Sequence, residues 1–254
     1  MGFPNNVFNQ NEFLIGVSKG NVSGQSFLSI AGCNNDLDIA AEEDLWVQGG
    51  DLVYLSSAET MDVVSTSVND DVGGTGATGV FVSGNLGGVG VSETVALDGT
   101  TPVTTTQTFD TVNFMFLTSS GTGLTNAGDI TATASTAATV QCKMLAGTGI
   151  TQHGFYRIPA GRNAVIQQAE MNATKTGGGA SPIVDYKVYA RFSPTSPWII
   201  LLDRKLDVNV QDSLIIPFPL GGVLSAGADI RLAATTDQND TECLLRITAI
   251  EYDV

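Results

Sequence analysis

The sequence predicts an all-β protein of two β-sandwich domains, an immunoglobulin-like one in the middle and a jelly-roll-like one at the C-terminus. An irregular N-terminal arm carrying one short helix is expected before them. Three observations carry this reading. Short apolar runs of period two recur about every ten residues, turn residues separate them, and no long amphipathic helical pattern is present. The 254 residues, 43% hydrophobic and 15% charged, can bury real cores and are too poor in charge for disorder.

The arm, 1–50, is rich in Asn, Gly and acidic side chains and is expected to order against neighbouring molecules. Its helix is predicted at 37–46, with Asp36 available as a cap and Asp38, Glu42, Glu43 and Asp44 crowding it. The first sandwich, 51–146, is rich in Gly, Asp and Thr, with fifteen threonines between 94 and 139. Strands are expected at 51–55, 61–66, 79–83, 93–97 and 111–117. Ile130, Ala132 and Ala134 alternate with Thr131 and Thr133, and Val140, Cys142 and Met144 share one face. Asp98-Gly99 reads as a hairpin turn and Gly147-Thr148-Gly149 as a hinge between domains.

The second sandwich, 150–254, has the clearest strand: Val184, Tyr186, Val188, Ala190 and Phe192 alternate with Asp185, Lys187, Tyr189 and Arg191. Ile230, Leu232 and Ala234 repeat the pattern, and 155–158, 164–171, 198–202, 213–218 and 242–252 are further strands. Gly177-Gly178-Gly179 marks a flexible loop, and Ser193 to Pro197 stops one strand before the next.

Charge divides the chain. Residues 1–150 carry a net charge of −13 with only Lys19 and Lys143 as basic side chains, while 151–254 carry −2. A stretch without cations cannot neutralise phosphates, so neither nucleic acid nor an anionic membrane is expected as a partner. The start lacks the basic and apolar regions of a secretory signal, Asn6 stands where myristoylation after Gly2 wants Ser or Thr, and the longest apolar run, 198–202, cannot span a bilayer. In a bacterial cytoplasm the sequons at Asn21, Asn172 and Asn239 carry no glycan.

Few residues suit catalysis, and the chain is expected not to be an enzyme. His153 is the only imidazole, follows the expected hinge and reads as a linker or surface residue. Gly74 to Gly79 matches the dinucleotide fingerprint by letters, but a strand follows where a helix is required, so a glycine-rich loop is the plainer reading. Cys142 and Cys243 fall on apolar strand faces, Cys33 has no evident place, and no paired ligand spacing supports zinc or a disulfide framework.

Asn34 to Asp38, Asn69 to Asp71 and Asp237 to Asp240 offer oxygens for calcium but lack an EF-hand loop, and turn chemistry explains them equally well. Nothing singles out a glycosidase carboxylate pair. No catalytic, cofactor or metal residue is therefore assigned. Tyr189, on the charged face between Lys187 and Arg191, is a candidate for a subunit interface or a glycan-stacking patch.

Gly20-Asn21-Val22-Ser23-Gly24, Met61 to Gly76, Ser92 to Thr106 and Asn126-Ala127-Gly128-Asp129-Ile130-Thr131 resemble virion structural proteins of tailed bacteriophages, especially phages of cyanobacteria and marine bacteria. Tyr156-Arg157-Ile158-Pro159-Ala160-Gly161 resembles the strand that opens their C-terminal β domain. The likeness covers most of the chain, and its low-complexity motifs identify a scaffold with no catalytic residues to transfer. It implies a capsid decoration or cement protein, or alternatively a tail or neck appendage that recognises host-surface polysaccharide. The implied partners are copies of itself, with a trimer expected, together with the major capsid protein or tail proteins. The implied location is the virion, after synthesis in the bacterial cytoplasm. One sandwich would dock on the particle and the acidic one project.

Overall fold

The computed structural model describes residues 10–39, 41–218 and 222–254. The chain opens with α1 (Gln10–Ser18), β1 (Gln25–Leu37) and β2 (Glu43–Asp44). The middle segment holds β3 (Glu59–Ser65), β4 (Ala77–Leu86), β5 (Val89–Ala96), β6 (Val103–Phe109), β7 (Thr111–Ser120), β8 (Ile130–Ala134) and β9 (Val140–Met144). The last segment holds β10 (Phe155–Arg157), β11 (Arg162–Lys175), β12 (Ile183–Arg191) and β13 (Ile199–Asp207). It ends with β14 (Ser213–Pro217), β15 (Val223–Leu224), β16 (Asp229–Thr236) and β17 (Thr241–Asp253). The protein is all-β, with every strand pairing antiparallel.

One sandwich has the jelly-roll order. Its sheets run β1-β17-β11-β14 and β10-β16-β12-β13, with β15 added to β11 and β2 to β16. Numbering the eight main strands along the chain, one sheet is first, eighth, third, sixth and the other second, seventh, fourth, fifth, which is a double Greek key. Strict alternation explains the packing. In β12, Val184, Tyr186, Val188 and Ala190 point inward against Met171, Leu245 and Ile247 of the facing sheet, and Tyr186 donates its hydroxyl to the Asn172 carbonyl.

The second sandwich, β3 to β9, is inserted between the first two strands of the jelly roll. Its sheets are β6-β3-β8-β9 and β5-β4-β7, around a core of Met61, Val63, Val80, Val82, Phe109, Met115, Ile130 and Met144. The four-plus-three division matches an immunoglobulin constant domain, but the order differs. There the larger sheet holds the first, second, fifth and fourth strands, whereas here it holds the fourth, first, sixth and seventh.

The N-terminal segment corrects the expected arm. From Gln25 to Leu37 it pairs with β17 along nearly its whole length, so residues at the two ends of the chain share a sheet. The helix expected at 37–46 is absent; there Leu37 ends β1 and β2 pairs with β16. Two of the acids that suggested a helix, Glu42 and Asp44, are partners of cations on the jelly roll. Glu42 meets Lys187 at 2.7 Å and Arg231 at 3.5 Å, and Asp44 also pairs with Arg231. The helix found, α1, packs against β1 instead.

Two smaller expectations also change. Residues 51–55 are extended but unpaired, with Leu52 buried at the junction. Asp98-Gly99 does turn the chain, but it joins β5 to β6 in the opposite sheet rather than forming a hairpin; the two-residue hairpin is Gly87-Gly88, where both φ angles are positive.

Candidate functional site at the domain junction

The two sandwiches meet at a buried charge network that strand register creates. Arg157 of β10, Asp229 of β16 and Arg191 of β12 lie opposite one another across three adjacent strands. Asp229 is fully buried and receives Arg157 Nε at 2.6 Å and Nη2 at 3.1 Å, and Arg191 Nε at 2.6 Å. Arg157 Nη1 reaches Asp110 of the inserted sandwich at 3.0 Å. Burial opposes the Arg157 charge, yet Asp229 and Asp110 hold its proton more tightly than usual. The Arg191 guanidinium lies over the neighbouring rings of Tyr54 and Trp198, 4.7 and 4.5 Å from their centroids.

The Arg157 backbone completes the staple. Its carbonyl accepts from Asn85 Nδ2 and Asn113 Nδ2, both at 3.1 Å, and its N–H donates to Asn113 Oδ1 at 3.0 Å. The expected hinge is likewise tied down. Gly147 N–H donates to the Asn126 carbonyl, Gly149 N–H to Asn126 Oδ1, and the Gly149 carbonyl accepts from Leu117 N–H. Thr148 is bonded to the Leu145 carbonyl as well, so the segment is not a free pivot.

Beside this network lies a groove of about 520 Å³. One wall is Phe27, Leu28, Ser29, Ile30 and Ala31 of β1, which closes its sheet at one end. The groove is also lined by Ile150, Thr151, Gln152 and His153 from the return linker, where Ile150 and His153 form isolated bridges, and by Phe114 and Phe155. The groove carries a single Arg, Arg246, and a single Glu, Glu251.

His153 corrects the expectation of a linker or surface histidine. It is 5% exposed, with Trp46 edge-on at 5.7 Å and Phe155 at 6.2 Å. Neither ring nitrogen has a protein hydrogen-bond partner among the described residues. Burial pulls its pKa down to about 4; the Val112 backbone draws slightly the other way without reaching hydrogen-bond geometry. The imidazole is therefore neutral at physiological pH.

The structure separates the other candidates. Tyr189 is half-buried and engaged: its hydroxyl donates to Glu42 Oε2 at 2.8 Å, and Arg231 lies 5.3 Å from its ring centroid. Burial alone would raise the Glu42 pKa, but Lys187, Tyr189 and Arg231 together hold it below the usual range. Asp70, within one suggested calcium loop, is already surrounded by donors: Ser65 Oγ at 2.6 Å and the N–H groups of Ala77, Ala127 and Gly128 at 2.7, 2.8 and 2.9 Å. Among the described residues no group of three His, Cys, Asp or Glu side chains is placed to hold a metal.

The stretch from Gly74 to Gly79 is a loop only as far as Gly76, which packs on Asp70, and β4 begins at Ala77. Cys33, Cys142 and Cys243 are buried free thiols; burial pushes Cys33 up to about 11, Cys142 up to about 12, and Cys243 higher still.

No family model and no curated protein matches the chain. Among solved structures, it is similar to that of infectious bursal disease virus, Gt strain, at 9% identity over 91% of this chain and 77% of that one, with a TM-score of 0.19. The Gx strain gives 8% identity over the same shares and a TM-score of 0.18. Scores of this size do not establish a common fold.

Sequence reasoning missed the residues that build the junction. Arg157, Arg191 and Asp229 are far apart in the chain, and only the antiparallel registers of β10, β16 and β12 bring them into one row. The usable signal was Arg191 itself, a cation at the end of a strand of clear alternation, close to the tight Ser193 to Pro197 turn.

Proposed function

We propose that this chain is a non-enzymatic structural subunit of a tailed-phage virion, made in the bacterial cytoplasm and assembling as a symmetric oligomer, a trimer, on the capsid surface. The jelly roll docks and the inserted sandwich projects. The observation that carries this is the division of the surface. The inserted sandwich has one basic side chain, Lys143, which is paired with Asp129 at 3.2 Å, so what it shows to solvent is acidic. Both sandwiches expose apolar side chains, but Phe192, Ile199, Ile200 and Ile215 of the jelly roll lie in or beside its edge strands β13 and β14, whereas Val68, Val72 and Leu124 of the inserted sandwich lie in loops and Val89 at a strand end. Apolar edges are what an assembling subunit covers, and a uniformly negative outer domain keeps finished particles apart.

Jelly rolls serve shells and lectins alike, so the surface rather than the fold supports the reading. The engagement of Tyr189 with Glu42 and Arg231 weighs against its use as a free glycan-stacking residue. Gold-tagged antibodies against the inserted sandwich, applied to purified particles, are expected to decorate the head evenly. Label restricted to the tail or neck would replace this reading with that of an appendage contacting host polysaccharide, and unlabelled particles would remove the protein from the virion. Light scattering on the purified chain tests the trimer, which a monomeric mass would exclude.

A further inference from the structure

We infer that a small pocket beside the junction network is a carboxylate-binding site, built around the open end of the Arg191 guanidinium. The pocket holds about 240 Å³. Arg191 lines it together with Ser56 and Ser57 of the chain leaving the jelly roll, Asp110 and Arg157 of the network, and Pro194 of the turn after β12.

Arg191 is only 9% exposed, and it is held in place. Its Nε donates to Asp229 at 2.6 Å, and its flat face lies over Tyr54 and Trp198. These contacts use one of the five N–H donors of a guanidinium. Among the described residues neither Nη1 nor Nη2 makes a hydrogen bond, yet neither is sealed from solvent. A buried cation fixed in position with two nitrogens left open to a pocket is prepared for an acceptor that the chain itself does not supply.

Geometry selects that acceptor. The Nη1–Nη2 edge presents two parallel donors in one plane, which a carboxylate meets with both oxygens and an amide carbonyl with only one. Asp229 serves Arg157 through two hydrogen bonds and Arg191 through one, so Arg191 is the cation with attraction left for a single further charge. A phosphate dianion would bring two. Asp110 does not compete for the open nitrogens, because its Oδ1 accepts from Arg157 Nη1 at 3.0 Å and its Oδ2 from the Gly87 N–H at 2.7 Å. Ser56 and Ser57 are exposed, and their hydroxyls, without a hydrogen-bond partner among the described residues, can donate to the same ligand. Pockets for drug-sized ligands begin at about 300 Å³, so this one suits a short acid or the side chain of an Asp or Glu. The inference does not rest on the virion reading, because the site lies within one chain.

The test is titration of the full chain at pH 7 and fixed ionic strength with acetate, acetamide and phosphate. Binding is followed by NMR through the Arg191 Nε–H and the indole N–H of Trp198, whose ring lies 4.5 Å from the guanidinium. Acetate is expected to saturate both signals at about tenfold lower concentration than acetamide or phosphate. Arg191→Lys keeps the charge and removes the fork, so the Trp198 signal should no longer saturate. Because that variant also loses a bond to Asp229, a second one leaves Arg191 intact. Ser57→Asp, at an exposed position, places a tethered carboxylate at the pocket and should abolish the response to acetate while raising the thermal midpoint.

A capped Gly-Asp-Gly peptide separates the two sources of a carboxylate: tighter binding than acetate assigns the site to an acidic side chain of a partner, and weaker binding to a free short acid. Three results would overturn the inference: signals that move in proportion to acetate without saturating, acetamide binding as well as acetate, or Ser57→Asp leaving the acetate response intact.

Discussion

Asp70 and His153 are both buried titratable residues, and they act on stability at different pH. Burial works against the Asp70 charge, but the donors Ser65, Ala77, Ala127 and Gly128 hold its pKa below the ordinary 3.8. Its contribution is complete above that value and is lost only as the pH falls through the lower folded one. Asp70→Ala strands those donors and is expected to cost about 3 kcal/mol or more, read as a lower midpoint in urea at pH 7. An unchanged midpoint would mean that solvent already serves those donors. For His153 the folded value is about 4 against an unfolded 6.5, so protons bind the unfolded chain first. Stability should fall by about 3 kcal/mol as the pH drops from 6.5 to 4 and then level off. His153→Leu should remove that slope; denaturation series at several pH values check it.

At the scale of elements, β1 shows why close approach needs glycine. A methyl on Gly32 would stand 2.4 Å from the Leu45 carbonyl oxygen and 2.8 Å from Gly154 Cα, where three backbones converge. Gly32→Ala is expected to cost about 2–3 kcal/mol, whereas Gly178→Ala, facing open space, should leave the thermal midpoint where it was. Equal midpoints for the two variants would contradict this packing. The same strand marks the limit of what sequence reasoning reached. β12 was legible because its alternation is local: one inward face of Val184, Tyr186, Val188 and Ala190. β1 was not, because Gly32, Cys33 and Asn34 are all buried and break the period, and its partner lies more than two hundred residues away. The acids at 42–44 pointed to a helix because a local rule reads acids as helix-start signals, while the cations of Glu42 and Asp44, Lys187 and Arg231, sit on distant strands. The junction stayed hidden for the same reason. A jelly-roll-like sandwich was expected in kind, but its strand order was left open and its first strand was assigned to the arm.

For the whole molecule, insertion and stapling decide how it comes apart. Arg157→Met leaves Asp229 with Arg191 alone and Asp110 without its partner, which should cost about 3–5 kcal/mol and split one calorimetric transition into two. A single unshifted transition would show that the backbone bonds of Arg157 suffice. Among residues 1–150, limited trypsin should cut first after exposed Lys19, since no other Lys or Arg occurs before Lys143, which is held in β9 by Asp129. Intact mass would then report loss of residues 1–19, with β1 still paired to β17; early cleavage after Lys143 would mean the inserted sandwich opens readily. The antiparallel bridge between Trp46 and His153 has one further consequence. The chain leaves the jelly roll and re-enters it at adjoining points, so everything between them is a cassette whose ends already touch. Recombination at those two sites can exchange the inserted sandwich of such a gene for an unrelated one, letting that part of the protein diverge quickly while the jelly roll is inherited intact.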